Sequence, residues 1–381
     1  MEPVAASSGR ALPAIVGIVG AGTMGAGIGQ VALEAGCEVV FYDVDEAAVD
    51  AARERILDGL ARRAVKRGLH AAEADDWVEA RLDRIRHVPT VDGLADEADL
   101  VIESAMEDLA LKRTIFRTLD AAAPPETILA TNTSALSIAA IAAATNRQGR
   151  VIGMHFFNPA PVMPLVEIVS APKTDPTIAA AATALVERWG KTAVSCADTP
   201  GFIVNRVNRP FTIEALRLVE TGIASVAAID EALTAAGFPM GPFELMDLVG
   251  VDINLAAATA IWNGLGQPER LRPSSIQERL VAAGDLGRKT GRGFYDYRDG
   301  PRAGVSEEFV GRGSTIEADS IRERILTAIG REAHRALDEG VASAADIDIA
   351  LRLGAGHPIG PFERERTEAD GVDRAEPDGD E

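Results

Sequence analysis

Two polar residues interrupt apolar runs twelve positions apart: His155 in Met154-His-Phe-Phe-Asn-Pro159 and Glu167 in Leu165-Val-Glu-Ile-Val169. Pro159, Pro161 and Pro164 lie between them and make a turn, so the two runs can lie side by side as strands, with imidazole and carboxylate in hydrogen-bond reach. A carboxylate beside an imidazole fixes its tautomer and stabilises the imidazolium, the arrangement needed to take a proton from an alcohol while hydride leaves its carbon. Ser134, in Thr131-Asn-Thr-Ser134 after another apolar run, and Asn158 are neighbouring polar candidates. Alone, His155 reads equally as a satisfied core histidine and Glu167 as a strand-edge charge facing water. The pairing is what points to chemistry.

A second constellation lies near the start. Gly20-Ala-Gly-Thr-Met-Gly25 follows an apolar run and opens a helical stretch, and Asp43 ends the next apolar run, 21 residues beyond Gly22. Gly20 permits a tight turn, Gly22 lets backbone approach a pyrophosphate, and Gly25 lets helix and strand pack closely. The helix start at Thr23 and Met24 then offers free N–H groups and a partial positive charge to phosphates. Asp43 would take the adenosine ribose hydroxyls and repel a 2′-phosphate, favouring NAD over NADP.

Elements must position these residues. Strands are predicted over 14–20, 38–43, 99–103, 127–131, 150–155, 165–170 and 191–196, and helices over 24–35, 45–67, 111–121 and 177–189. This alternation means βαβ units and an α/β fold with a Rossmann-type, doubly wound sheet, with the loop at 131–134 in the crevice where such sheets bind ligands. From Pro200 the strand signal vanishes and helices are predicted over 202–220, 226–236, 242–263 and 274–283. An internal repeat follows: Gly222-Ile-Ala-Ser-Val-Ala-Ala-Ile-Asp-Glu-Ala-Leu233 recurs as Gly340-Val-Ala-Ser-Ala-Ala-Asp-Ile-Asp-Ile-Ala-Leu351, and Gly237-Phe-Pro-Met-Gly-Pro-Phe-Glu244 as Gly356-His-Pro-Ile-Gly-Pro-Phe-Glu363. The expected organisation is a disordered leader 1–12, a dinucleotide-binding domain 13–199, an all-α domain 200–300, a partial repeat of that domain 319–362, and an acidic disordered tail 363–381.

Length and composition bound the rest. A chain of 381 residues, 47% hydrophobic, has room for two to three domains with sizeable cores. Its net charge of −20 argues against nucleic acid or an anionic membrane as the main partner, although nine acids and three arginines among 363–381 put six of those charges in the tail. Only Cys37 and Cys196 are present, with no metal-ligand spacing, so zinc sites and disulfide frameworks are excluded and a reducing, cytoplasmic compartment is expected. The small-apolar run 135–144 is too short to span a bilayer. A local basic exception lies at Arg62, Arg63, Lys66 and Arg67, on the last turns of the helix after Asp43, and Arg288, Lys289 and Arg292 form a basic loop read as structural.

The loop Gly20–Gly25, Asn132-Thr-Ser134, His155-Phe-Phe-Asn-Pro159, Leu165-Val-Glu167, Asp198-Thr-Pro-Gly-Phe-Ile-Val-Asn-Arg206, Gly241-Pro-Phe-Glu-Leu-Met-Asp247 and the segment Gly287 to Tyr297 together resemble the L-3-hydroxyacyl-CoA dehydrogenases, in register over about 14–298. The resemblance implies NAD-dependent oxidation of an (S)-3-hydroxyacyl-CoA to the 3-ketoacyl-CoA. It implies His155 as general base with Glu167 as partner, Ser134 on the reacting oxygen or the nicotinamide side, and Asn205 facing the substrate. It also implies Glu107, Lys112, Asn132 and Asn158 near the nicotinamide end, and Arg62, Arg63 and Lys66 on the CoA nucleotide. Solvated surface is the bland alternative for Glu107 and Lys112, as it is for the basic helix.

Two departures stand out: Pro164 occupies a position where the family often has lysine, and Ser320–Phe362 supplies only half of a second helical copy. Single-copy members dimerise through this domain, so a homodimer is expected. Two other readings fit the same motifs: a related β-hydroxyacid dehydrogenase acting on a free sugar acid, like the gulonate dehydrogenases and lens crystallins, or a non-catalytic NAD-binding protein.

Overall fold

Val16, Ile18, Val39, Phe41, Ile102 and Ile152 recur at every second position along their strands, and all are buried in one core. Period-two burial puts these side chains on one face of a sheet. A computed structural model of the chain describes residues 13–298, 300, 304–309 and 314–373. The predicted leader 1–12 and residues 374–381 of the predicted tail lie outside the described residues. The chain forms two units, Met1–Asp198 and Thr199–Glu381.

In the first unit the strands are β1 (Ile15–Val19), β2 (Glu38–Tyr42), β3 (Ile85–His87), β4 (Leu100–Glu103), β5 (Ile128–Thr131), β6 (Val151–Phe156), β7 (Leu165–Ser170) and β8 (Thr192–Ala197). They lie in one sheet in the order 3-2-1-4-5-6-7-8. Neighbours are parallel except β6 and β7, which run antiparallel. The helices are α1 (Thr23–Glu34), α2 (Glu46–Lys66), α3 (Ala71–Leu82), α4 (Val91–Glu97), α5 (Leu109–Ala122), α6 (Ile138–Ala142) and α7 (Pro176–Arg188). This is the expected doubly wound α/β architecture, with β3, α3, α4 and α6 added. Ile85-Arg-His87 carries no apolar run and exists as a strand through its partner: Val39 N–H donates to Arg84 O and Val88 N–H to Phe41 O.

The second unit is helical: α8 (Val204–Val207), α9 (Arg209–Glu220), α10 (Val226–Ala235), α11 (Pro242–Val249), α12 (Val251–Gly264), α13 (Ser275–Ala283), α14 (Ala318–Asp338), α15 (Ala344–Ala355) and α16 (Pro361–Asp373), with a short hairpin pairing Tyr295–Asp296 and Gly304–Val305. Two predicted helices are each broken in two. The 202–220 helix divides at Asn208, where Pro210 lacks the N–H needed to continue the ladder. The 242–263 helix bends by 102° at Gly250, whose φ of +106 suits glycine alone.

The repeat is built on one device. Asp230, 2% exposed, accepts the Phe243 and Glu244 N–H groups at the start of α11. Asp348, 3% exposed, accepts the Phe362 N–H at the start of α16. A Cβ at Gly241 would lie 2.2 Å from Asp230, and one at Gly360 2.4 Å from Asp348, which explains the repeated Gly-Pro-Phe-Glu. The chain does not lose structure at Glu363, as its acidity predicted, but continues as α16 to Asp373. Its charges find partners in the fold: Glu363 with Arg352, Glu365 with His334, Arg366 with Asp348.

Asp247 plays a related part for the Gly287–Tyr297 segment, accepting the Phe294 and Tyr295 N–H groups and the Tyr297 hydroxyl. Burial pushes its carboxyl up from 3.8 to about 6, against the pull of those donors. Between these values the folded chain keeps a proton that the unfolded chain has released, so the group's contribution to stability falls as pH rises through the window. In denaturant unfolding at pH 4, 5 and 6, the stability difference between wild type and Asp247→Asn should move against wild type by about 2 kcal/mol from pH 4 to pH 6; a flat difference would refute the assignment.

Candidate active site

Strand β6 is buried along its whole length and has one ionisable residue, His155. The antiparallel register sets His155 opposite Glu167 of β7. Imidazole Nδ1 lies 2.6 Å from Glu167 Oε2, with His155 only 4% exposed and Glu167 fully buried. Glu167 is therefore no edge charge, because β7 is an interior strand between β6 and β8. On the other side of the ring, Ser134 Oγ lies 3.1 Å from Nε2. A carboxylate at Nδ1 holds the ring proton there and leaves Nε2 with its lone pair outward, the form in which histidine accepts a proton.

The loop after β5 is held in place from behind. Asn132 Oδ1 accepts the Phe156 N–H at 2.8 Å, tying the ends of β5 and β6 together. Glu107 Oε1 accepts the Thr133 hydroxyl and the N–H groups of Ser134 and Ala135 at 2.5, 3.0 and 3.2 Å. Its other oxygen lies 3.5 Å from Lys112 Nζ. Lys112 is not a solvated helix-start residue: it is fully buried, 2.7 and 2.9 Å from the two oxygens of the equally buried Glu103. Glu103 also accepts the Thr131 hydroxyl and the Ala105 N–H, both at 2.7 Å. Removing one partner of a pair this buried costs about 3–5 kcal/mol. Glu103 leaves one mark in the sequence, a lone charge ending the apolar run Leu100-Val-Ile-Glu103.

Past β6, the Phe157 ring packs on His155 with centroids 4.6 Å apart, and Asn158 is exposed at the start of the turn to β7, joined to Pro159 by a cis bond. Lys191, at the foot of β8, donates to Ala160 O and Met163 O of this turn, and burial lowers its ammonium to about 8.

The three glycines of the loop differ in their surroundings. Gly20 has φ +102, and a Cβ there would lie 2.7 Å from Ser104 O. A Cβ at Gly25 would lie 1.9 Å from Gly20 O. A Cβ at Gly22 meets nothing within 4 Å, so that position faces open space. Gly22 caps α1 without a side chain, and no acid stands in the first turn, where Thr23 is exposed and Met24 half-buried. Asp43 closes the loop by accepting the Ala21 N–H at 2.7 Å. Beside it is a cavity of about 270 Å³ lined by Tyr42, Asp43, Val44, Glu46, His87 and Pro89. His87 comes from β3, which carried no strand signal. An uncapped helix start facing open space, next to a carboxylate at the end of the next strand, fits a dinucleotide.

The remaining candidates divide. Arg62, Arg63 and Lys66 are exposed on the last turns of α2, but Arg63 pairs with Glu34 of α1 at 3.0 Å and so ties two helices together. Arg62 and Lys66 make no ion pair among the described residues. Asn205 belongs to the helical unit, half-buried on α8. The basic loop is internally neutralised, Arg288 with Glu244, Lys289 with Asp252 and Arg292 with Asp285. Among the described residues no single helix is long and apolar enough to cross a membrane.

A sheet of this topology, a glycine loop and a carboxylate-held histidine define a nicotinamide-dependent dehydrogenase architecture. Residues 15–199 match the family model described as 3-hydroxyacyl-CoA dehydrogenase, NAD binding domain, and residues 201–297 and 321–371 match that described as 3-hydroxyacyl-CoA dehydrogenase, C-terminal domain. The chain is similar to the 3-hydroxyadipyl-CoA dehydrogenase of Escherichia coli (strain K12), at 37% identity over 91% of this chain and 89% of that protein. It is also similar to the probable 3-hydroxybutyryl-CoA dehydrogenase of Bacillus subtilis (strain 168), at 44% identity over 74% of this chain and 96% of that protein. Among solved structures, the 3-hydroxybutyryl-CoA dehydrogenase of Escherichia coli K12 superposes with a TM-score of 0.84 at 36% identity, covering 93% of this chain and 91% of that one. The chain belongs to the 3-hydroxyacyl-CoA dehydrogenase family, and it is an NAD-dependent oxidoreductase.

The loop geometry separates two substitutions that look alike in sequence. Gly25→Ala should lower the unfolding temperature, because its methyl has no room beside Gly20 O. Gly22→Ala should leave the unfolding temperature unchanged and weaken NADH binding in a fluorescence titration at least tenfold; unaltered affinity would remove Gly22 from the cofactor loop.

Proposed function

We propose that this chain oxidises the 3-hydroxyl of an (S)-3-hydroxyacyl-CoA to the 3-ketoacyl-CoA, reversibly, with His155 as general base. The observation that carries the reading is the ring of His155 held at Nδ1 by a buried carboxylate 2.6 Å away, with Ser134 at Nε2. The names of the similar proteins, which give 3-hydroxyadipyl-CoA and 3-hydroxybutyryl-CoA as their substrates, support the substrate class.

NAD, when bound, supplies the acceptor for the hydride at C3. His155 Nε2 takes the hydroxyl proton as that hydride departs, and Glu167 stabilises the imidazolium that results. Ser134 Oγ, at Nε2, hydrogen-bonds the reacting oxygen. Gly20, Gly22, Thr23, Met24 and Gly25 receive the cofactor's phosphates, and Asp43 its adenosine ribose. Glu107, Lys112, Asn132 and Asn158 hold the nicotinamide end, the first three by fixing the 131–135 loop. Asn205 contacts the acyl-CoA, and Arg62 and Lys66 meet its phosphates while Arg63 anchors their helix.

Replacing His155 by Gln should lower kcat by about 10²–10⁴-fold and leave NADH affinity unchanged. A variant that retains most of the turnover would remove His155 from the proton transfer. Acetoacetyl-CoA should oxidise NADH in the presence of this protein far faster than free acetoacetate does. Equal rates would exclude CoA recognition.

A further inference from the structure

The two helical copies meet through α9 and α14, and their ion pairs recur at a fixed offset of 118 residues. Arg206 Nε reaches Glu332 at 3.1 Å, and its counterpart Arg324 reaches Glu214, the counterpart of Glu332, at 3.3 Å. Within each helix Arg217 pairs with Glu214 and Arg335 with Glu332. Each glutamate thus already holds two guanidiniums from symmetric positions.

Two arginines break the symmetry. Arg270, just before α13, donates to both oxygens of Glu332 at 2.7 and 3.2 Å. Arg331, exposed on α14 where the first copy has Ile213, makes no ion pair among the described residues. Between them opens a cavity of about 490 Å³ lined by five arginines, Arg217, Arg270, Arg324, Arg331 and Arg335, against Glu214, Glu323 and Glu332. Four of these arginines pair with Glu214 or Glu332, and five arginines against three glutamates leave the lining a formal surplus of two positive charges. In a chain of net charge −20 this is a concentrated positive site, and its cations approach from α9, α14 and the 269–272 segment. Guanidiniums converging from three directions suit a tetrahedral phosphate better than a planar carboxylate.

We propose that this cavity binds a small anion bearing two or more phosphate groups, at a site separate from the glycine loop and from the basic turns of α2. Titration calorimetry with inorganic pyrophosphate on the full chain, saturated with NADH so that the cofactor's own phosphate sites are filled, tests it. The expected result is saturable binding of one pyrophosphate per chain that weakens with added salt. Arg331→Glu should weaken it at least tenfold with unchanged unfolding temperature and NADH affinity, and Arg331→Gln, milder at this exposed helix position, should weaken it less. Arg62→Ala should leave it intact. Absence of saturable binding at millimolar pyrophosphate, equal affinity in Arg331→Glu, or loss of binding in Arg62→Ala would overturn the proposal. Citrate binding as tightly as pyrophosphate would overturn the phosphate assignment.

Discussion

The pairing of β6 with β7 constrains the rest of the first unit. Every other neighbouring pair in the sheet is parallel, and it is the reversal here that sets His155 and Glu167 face to face on adjacent strands. A fully buried carboxylate without a partner costs several kcal/mol, and the imidazole 2.6 Å away offsets part of that cost for Glu167 in its interior strand. The same contact that stabilises the strand pair orients the ring toward Ser134.

Buried charge is handled in two further ways. In the first unit, Lys112 and Glu103 neutralise each other beneath the 131–135 loop, and Glu107 passes that rigidity on to Ser134. In the helical unit, Asp230, Asp247 and Asp348 work as fixed acceptors of backbone N–H groups, Asp230 and Asp348 joining successive helices and Asp247 holding a segment 47 residues further on. Burial raises the carboxyls of Asp230 and Asp247 to about 6, close enough to neutral pH that each helix junction depends on a carboxylate held against its desolvation.

Legibility followed the range of the interactions. The glycine loop and Asp43 were readable because their constraints are local: a positive φ, a missing Cβ and a fixed strand–helix–strand pitch leave marks within about 25 residues. The repeat was readable because Asp230 with Gly241 and Asp348 with Gly360 impose the same steric demand twice. Strand β3 was not readable, since Ile85-Arg-His87 is a strand only by virtue of β2. Nor was α16, whose acids and arginines look unfit for a fold until Arg352, His334 and Asp348 appear as their partners. The burial of Lys112 and Glu103 is not legible for the same reason: whether a charge is buried is decided by what surrounds it.

The sequence by itself determined the doubly wound class, the tight glycine turn after β1, the change to an all-α unit at 198–201, and the pairing of His155 with Glu167. These depend on periodicity, on residues that lack side-chain bulk and on turn chemistry, all of which act over short separations. Tertiary structure alone decided that Glu167 is interior, that Arg63 serves as a tether, that the apolar 242–263 run bends at Gly250, and that guanidiniums outnumber carboxylates around the α9–α14 cavity. Each of these depends on which distant groups share a neighbourhood, because desolvation and ion pairing act through space rather than along the chain.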